Sequence, residues 1–482
     1  MAQDAVAGLT IAPAPEGEAL SEHYELTVNG VPTPVYVCRV SAQPFNQVWP
    51  GYQRPLDQTE PAGFATWDMA GPATVEVRSR RPVTSVAIRP LVAGIAPRIE
   101  GDRIRFELDR PRQLAVEVNG PHHALHLFAC PPEADAPAAD TPGVRYFGPG
   151  VHRPGRIVLE SNQTVYLAPG AVVYGSLHAD GAENIAVRGR GILDVSPFPR
   201  GEGGGAIRFS DCRNILIEGV VLRDPDVWCC SLFGCSNARI EGIKLVGLWR
   251  YNADGIDICN SQDVIVRDCF VRAFDDAIVL KGLKWGQNSF DGRPIRNVRV
   301  SGCTIWCDWG RALEIGAETC APEIADVTFE DCDIIRTTHI AMDIQHGDRA
   351  LVRNIRFEDI RVEMQPPNPH PQMQQNPEHR YSPPDDEGYL PALFVIIIRG
   401  NNYSQDDQRG NVRDVLLRNI ALTAPRMPDS SIQGFDAEHT VDGVTFEGLT
   451  LNGEPVPDAA AARLHVGDHV ANVRFAPSPP GD

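Results

Sequence analysis

The sequence predicts an all-β chain: a right-handed parallel β-helix preceded by an N-terminal β-sandwich domain. Three observations predict it. A nine-residue pattern opening on Asn or Asp returns again and again between residues 184 and 450. The first 130 residues alternate apolar and polar side chains in short bursts bounded by turn residues. Gly (43) and Pro (41) are abundant, and the repeated segments show no helical spacing, which favours many short strands joined by turns.

At roughly 100–200 residues per domain, 482 residues should hold at least two. We expect a sandwich over residues 1–140 and a β-helix over 141–482. The bursts that predict the sandwich are Tyr24–Val28, Val35–Val40, Thr74–Val77, Val86–Ile88, Ile104–Leu108, Leu114–Val118 and Leu125–Phe128. Such spacing with turn signals between strands is that of a sandwich. The stretch Pro131–Asp140, rich in Pro, Ala and Asp, is the expected linker.

The repeat opens at Asn184, Asn214, Asn237, Asp263, Asn297, Asp326 and Asn354, with weaker copies at Asp414 and Gly443. A period of 20–35 residues built from short strands is the mark of a parallel β-helix of about ten coils, in which each coil buries its apolar side chains only by stacking on its neighbours. The wide gap before Asp414 holds one coil and a Pro/Gln-rich insertion near 365–386. The opening Asn or Asp should stack as a ladder in a turn. Cys269, Cys303 and Cys332 share the seventh position with Val220, Ile243 and Ile360, so they should be an inward stack of free thiols.

A second strand precedes each repeat: Ile207–Phe209, Ser231–Phe233, Ile256–Ile258, Ile278–Leu280, Leu313–Ile315 and Met342–Ile344. Side chains alternate faces in a strand. If the aliphatics point into the coil, an outward, solvent-facing column forms from Arg208, Ser231, Asp257, Val279, Glu314 and Asp343. Beside it run small residues (Gly255, Ala277, Ala312, Ala341) and, on the other side, Cys259, Lys281, Gly316 and Gln345. A flat floor flanked by charges, with Trp228, Trp249, Trp285, Trp306 and Trp309 nearby, describes a groove suited to sugar polymers.

Lys+Arg total 44 and Asp+Glu 63, a net charge of −19, which repels phosphate backbones and anionic lipid and argues against nucleic-acid or membrane partners. No apolar run is long enough for a spanning helix. The N-terminus shows no signal peptide, which predicts a cytoplasmic protein, or a secreted or periplasmic one whose leader was removed. No Cys-x-x-Cys pair has metal-ligand partners, and no metal or cofactor is expected.

The chemistry concentrates in Asn252-Ala253-Asp254-Gly255 and, one coil on, Asp275-Asp276. Stacked strands lie ~4.8 Å apart, so Asp254 and Asp276 should stack with Asp275 beside them. Three carboxylates so close cannot all ionise cheaply, and at least one should be held protonated. A protonated and an ionised carboxyl together are what glycosidic cleavage needs.

This constellation on a β-helical repeat resembles glycoside hydrolase family 28, the polygalacturonase family, over most of residues 146–450. The resemblance implies an inverting glycoside hydrolase with Asp275 as general acid, and with Asp254 and Asp276 positioning and deprotonating the water. The family's Gly-His-Gly is here Gly310-Arg311-Ala312, and its Arg-x-Lys pair is absent from the matching stretch 341–346. The sandwich-plus-helix layout resembles family 49, the dextranase and isopullulanase group. Substrate-binding candidates are Asn252, Asp257, Lys281, Arg311, Glu314, Asp343, His339 and Trp309. The alternative is a β-helical lyase, epimerase or intramolecular glycosyl transferase of the fructotransferase type; a further alternative is a non-catalytic carbohydrate-binding β-helix.

Overall fold

The computed structural model describes residues 8–47, 53–284, 292–384 and 388–477. Trp285 and the end of the expected insertion, 385–386, lie outside the described residues.

The N-terminal part is a β-sandwich. One sheet runs in the order Leu9–Thr10, Thr59–Met69, Leu125–Cys130, Arg112–Val118, Val86–Arg89, with Tyr36–Ser41 also paired to Thr59–Met69. The other runs Val31–Thr33, Tyr24–Val28, Ala73–Ser79, Arg103–Leu108, Arg98–Glu100. Their inner faces share one core, with Leu26, Val77 and Phe106 of the second sheet meeting Trp67, Val116 and Leu127 of the first. All seven expected strands are present. The long central strand Thr59–Met69 was not foreseen, because Pro61 and Gly63 disguise its start; both residues weaken a strand signal.

From Val144 onward the chain coils through three parallel columns. Twelve strands, from Val144–Phe147 to Val470–Ala476, stack as one sheet, so there are more coils than the repeat count predicted. The terminal coils carry degenerate copies of the pattern. The other two columns share a 21-stranded sheet. The interior is a continuous apolar stack that includes Cys269, Cys303 and Cys332, each fully buried. All twelve cysteines are free.

The opening Asn and Asp residues do form a ladder, but within the twelve-stranded sheet rather than in a turn. Each sits at a left-handed kink, with φ of 57° at Asn214 and 51° at Asn237. Asn and Asp tolerate that region best after Gly, which explains why Gly443 (φ 81°) can take the place. The side chains then bond from coil to coil: Asn214 Nδ2 donates to Asn184 Oδ1, and Asn237 Nδ2 to Asn214 Oδ1, each at 2.8 Å.

The sandwich docks on the column that starts at Ile192–Asp194. Tyr36, Phe64 and Phe128 pack against Ile192, Val221, Phe270 and Trp306. Buried ion pairs rim this contact: Arg223 with Asp194 and Glu18, Arg89 with Glu117 and Glu363, Arg336 with Glu117. Removing one member of such a pair typically costs about 3–5 kcal/mol, because the other is left buried and uncompensated. The sandwich is thereby held in one position against the coils, and its segments 41–47 and 53–58 lie against the neighbouring column.

Candidate active site

That neighbouring column is the one whose middle residues were expected to line a groove. The register is as expected: Arg208, Ser231, Asp257, Val279, Glu314 and Asp343 stack directly on one another. Their environment is not. Ser231, Asp257, Glu314 and Asp343 point out of the coil yet are at most 2% exposed. Strand alternation reports which side chains leave the coil, not what packs over them. Lys281 lies here under the Trp228 ring, 4.1 Å from its centroid. Arg399 donates to Gln345 Oε1 at 2.7 Å. The charge of Tyr403 would couple to Asp275, Asp276 and Arg311.

Three carboxylates converge on Lys281. Its Nζ is 2.6 Å from Asp254 Oδ2, 3.5 Å from Asp257 Oδ1 and 3.6 Å from Asp276 Oδ2. These contacts overcome burial and keep the ammonium charged well beyond its ordinary range. Burial, then the charge of Asp276, pushes Asp254 up to about 7 against the pull of Lys281. Asp257 is pushed well up, by burial and then by Asp254, and accepts a bond from Ser231 Oγ at 3.3 Å. Oδ1 of Asp254 has no hydrogen-bond partner among the described residues.

Asp275 and Asp276 are neighbours in sequence with opposite fates. Burial, then Asp254 and Asp276, raises Asp275 well above the carboxylate range. The like charges invoked from the sequence therefore act second to desolvation. Burial would raise Asp276 too, but Lys281 and Arg311, with hydrogen bonds from Glu314 and the Arg311 backbone N–H, outweigh it and hold Asp276 below the usual value. Gly310 permits this approach: a Cβ there would stand 2.5 Å from the Asp275 carbonyl carbon and 2.8 Å from Asp276 Oδ1.

Arg311 is the centre of a second cluster. Its guanidinium reaches Asp276 Oδ1 (3.7 Å), Glu314 Oε1 (4.0 Å) and Asp343 Oδ2 (3.4 Å). Burial and then Asp276 hold Glu314 well up, against the pull of Arg311. Burial raises Asp343 to about 7, with Arg311 opposing. His339 is lowered to about 3 by burial and by Arg311, and is therefore neutral.

The aromatic candidates separate. Trp309 is 8% exposed, between Phe274 and His339, and its Nε1 donates to Gln372 O at 3.2 Å. Trp306 is not in this column: it faces the sandwich, under Arg272 and against His126. Trp249 is also turned away, its indole N–H bonded to Asp224 Oδ1 at 2.7 Å. Asn252 accepts a hydrogen bond from Arg200, a residue the sequence reading passed over. It also passed over Glu318, whose carboxyl burial raises and Lys281 opposes, although Glu318 lies four residues after Glu314 in the same strand. Asn46 of the sandwich was missed as well; its Nδ2 lies 3.3 Å from Asp275 Oδ2.

Residues 196–369 match the family model of glycosyl hydrolases family 28, a stretch that holds Asp254, Asp275, Asp276 and every substrate-binding candidate. Polygalacturonase QRT2 of Arabidopsis thaliana is 24% identical over 161 residues, 32% of this chain and 34% of that protein. Rhamnogalacturonase A of Aspergillus niger is 21% identical over 159 residues, 33% of this chain and 32% of that protein. The chain thus spans about a third of the length of these curated relatives. Among solved structures, Dex49A from Penicillium minioluteum matches over 96% of both chains with a TM-score of 0.67 and 16% identity. The two-part architecture, sandwich and right-handed parallel β-helix, is therefore shared along nearly the whole chain.

Proposed function

We propose that the protein is an inverting glycoside hydrolase acting on an oligo- or polysaccharide. The observation that carries the reading is the opposite setting of two adjacent carboxyls: Asp276 lies 3.6 Å from the Lys281 ammonium and accepts the Arg311 backbone N–H, which hold it below the usual carboxylate value, while burial pushes Asp275 well above it. Environments that push two titratable groups apart mark an acid and a base. In inverting cleavage one carboxylic acid protonates the leaving oxygen while a carboxylate activates water on the opposite face of the sugar. Asp275 is the acid. Asp276 takes the water's proton, and Asp254, fixed by Lys281 with one oxygen unclaimed, orients that water.

The charge balance supports a neutral sugar. Lys281 and Arg311 are both engaged by carboxylates of the site, so neither is spare for a substrate carboxylate. A lyase or epimerase would call on a base such as Lys281, but that ammonium is locked in its charged form. Twelve unpaired thiols fit a reducing compartment and hence the cytoplasmic location proposed from the sequence.

The test is a panel of dextran, polygalacturonate and rhamnogalacturonan, with NMR of the first anomer released. We expect the anomeric configuration to invert on a neutral glycan, with little turnover of polygalacturonate. Retention of configuration, or an unsaturated product, would overturn the mechanism; rapid release of galacturonate would overturn the neutral-substrate assignment.

A further inference from the structure

The segment Phe45–Asn46 belongs to the sandwich, yet it lies against the coils that carry the carboxylates. It pairs in parallel with Gln372–Met373 of the insertion, Asn46 opposite Met373. Its loop is pinned by Arg54, which is 3% exposed. The Arg54 guanidinium donates to Trp249 O at 2.7 Å, Ser41 Oγ at 2.8 Å and Gln43 O at 2.9 Å, and lies 3.9 Å over the ring of Phe274, the residue before Asp275. Asn46 is 4% exposed. Its Oδ1 accepts the backbone N–H of Gln47 at 2.8 Å, which fixes the amide so that Nδ2 is the atom facing Asp275.

We propose that Asn46 is a positioning residue for Asp275: the sandwich supplies an amide donor that holds Oδ2 of the acid and leaves Oδ1 to carry and deliver the proton. The proposal rests on the glycosidase reading above. A protonated carboxyl has one carbonyl oxygen and one hydroxyl, and the carbonyl oxygen is by far the better acceptor for an N–H donor. As the proton leaves for the glycosidic oxygen, charge grows on the carboxylate and the bond from Asn46 becomes charge-assisted, so it strengthens toward the transition state. Its 3.3 Å length is that of a catalytic contact before substrate tightens it. The sandwich then does more than pack: it completes the acid.

The other charged and titratable groups around Asp275 are Asp254, Asp276, Lys281 and Arg311, Arg200, Tyr403 and the Cys307 thiol, none of them altered by a change at Asn46. A donor to a carboxylate favours its ionised form, so removing the donor raises the titration midpoint of Asp275. Loosening the loop would do the reverse, because hydration would return the carboxyl toward its ordinary value.

The protein, labelled with ¹³C at the aspartate carboxyls, is titrated by NMR as wild type, Asn46→Ala and Asn46→Leu; the Asp275 resonance is the one missing from Asp275→Asn. Asn46→Leu keeps the bulk of the side chain, adds no charge beside Asp275 and loses the donor, which guards against collapse of the loop in the alanine variant. The expected result is an upward shift of the midpoint in both variants. On the glycan the panel selects, kcat should fall roughly 10- to 100-fold, the scale of a hydrogen bond to a charged group, with KM within about twofold. An unchanged or lowered midpoint, or normal kcat in both variants, overturns the proposal. If Asp275→Asn is itself inactive in that case, the glycosidase reading stands; an active Asp275→Asn sinks the Asn46 proposal together with the assignment of Asp275 as the acid.

Discussion

Lys281 and Asp254 form the shortest ion pair of the carboxylate cluster, Nζ to Oδ2 at 2.6 Å, with both side chains at most 4% exposed. One ammonium thus serves Asp254, Asp257 and Asp276 together, and the charge it supplies is what allows Asp276 to stay ionised.

Lys281→Met should therefore remove both activity and stability. Without the ammonium Asp276 rises and loses its role as base, so turnover should fall by about two orders of magnitude or more. The buried carboxyls then retain protons in the folded state that the unfolded chain releases above about pH 4, and stability falls as pH rises through that window. Thermal melts should show little loss near pH 4 and a loss of about 3–5 kcal/mol near pH 7. Equal destabilisation at both pH values would mean that Lys281 acts by packing alone.

Much of this site was legible because it is periodic. Asp254 and Asp276 were placed together by coil spacing, and Asp257, Glu314 and Asp343 by strand alternation, since in a β-helix neighbours in space sit one period apart in sequence. The same logic found the Cys269, Cys303 and Cys332 stack and the Asn ladder. It fails where contacts are aperiodic. Asn46 meets Asp275 across 229 residues, and no repeat links a sandwich loop to a coil. Trp306 leaves the coil as outward residues do, but alternation cannot tell a column covered by the sandwich from one that faces a groove. The burial of Asp257 and Glu314 was invisible for the same reason.

The thiol stack gives a separate test of the inward register. Cys303 is raised well above the usual thiol range by hydrogen bonds with Cys269 and Cys332 and by burial. Native protein should leave all three unlabelled by an aromatic disulfide reagent, and denaturant should release them together. Cys303→Ser should lower stability by about 1–3 kcal/mol by placing a hydroxyl in an apolar interior. Prompt labelling of the native protein would contradict the burial.

Asp343→Asn should stabilise the protein. Asp343 titrates near 7 in the folded state against 3.8 for the free side chain. Between those values the folded state holds a proton that the unfolded state has lost, so stability falls as pH rises from about 4 to 7. Asparagine has nothing to ionise and escapes this penalty, keeping the polar contact to Arg311. We expect the variant to melt higher than wild type at pH 7, by on the order of 2 kcal/mol, and the gain to fade near pH 4. A variant less stable than wild type at pH 7 would show that the Arg311 pair is worth more than the cost of burying the charge.

The assignment of the acid rests on Asp275, but Glu314 is a rival that the geometry keeps in view. Both are buried carboxyls pushed well above their ordinary values, Glu314 by burial and Asp276, Asp275 by burial and its two neighbours. What separates them is their bonding. Glu314 gives its hydrogen bond to Asp276 and lies beside Arg311, so its proton is already committed to the base. Asp275 accepts from Asn46 and keeps its proton for a leaving group. Asp275→Asn should then lose roughly two to four orders of magnitude in turnover, the scale of an acid or base. Substrates with activated leaving groups should suffer least, because they depart without a proton. Glu314→Gln keeps a donor toward Asp276 and should lose less, on both substrate types alike. Near-normal activity in Asp275→Asn with a dead Glu314→Gln would exchange the two roles, and the acid would then sit one coil further along the column.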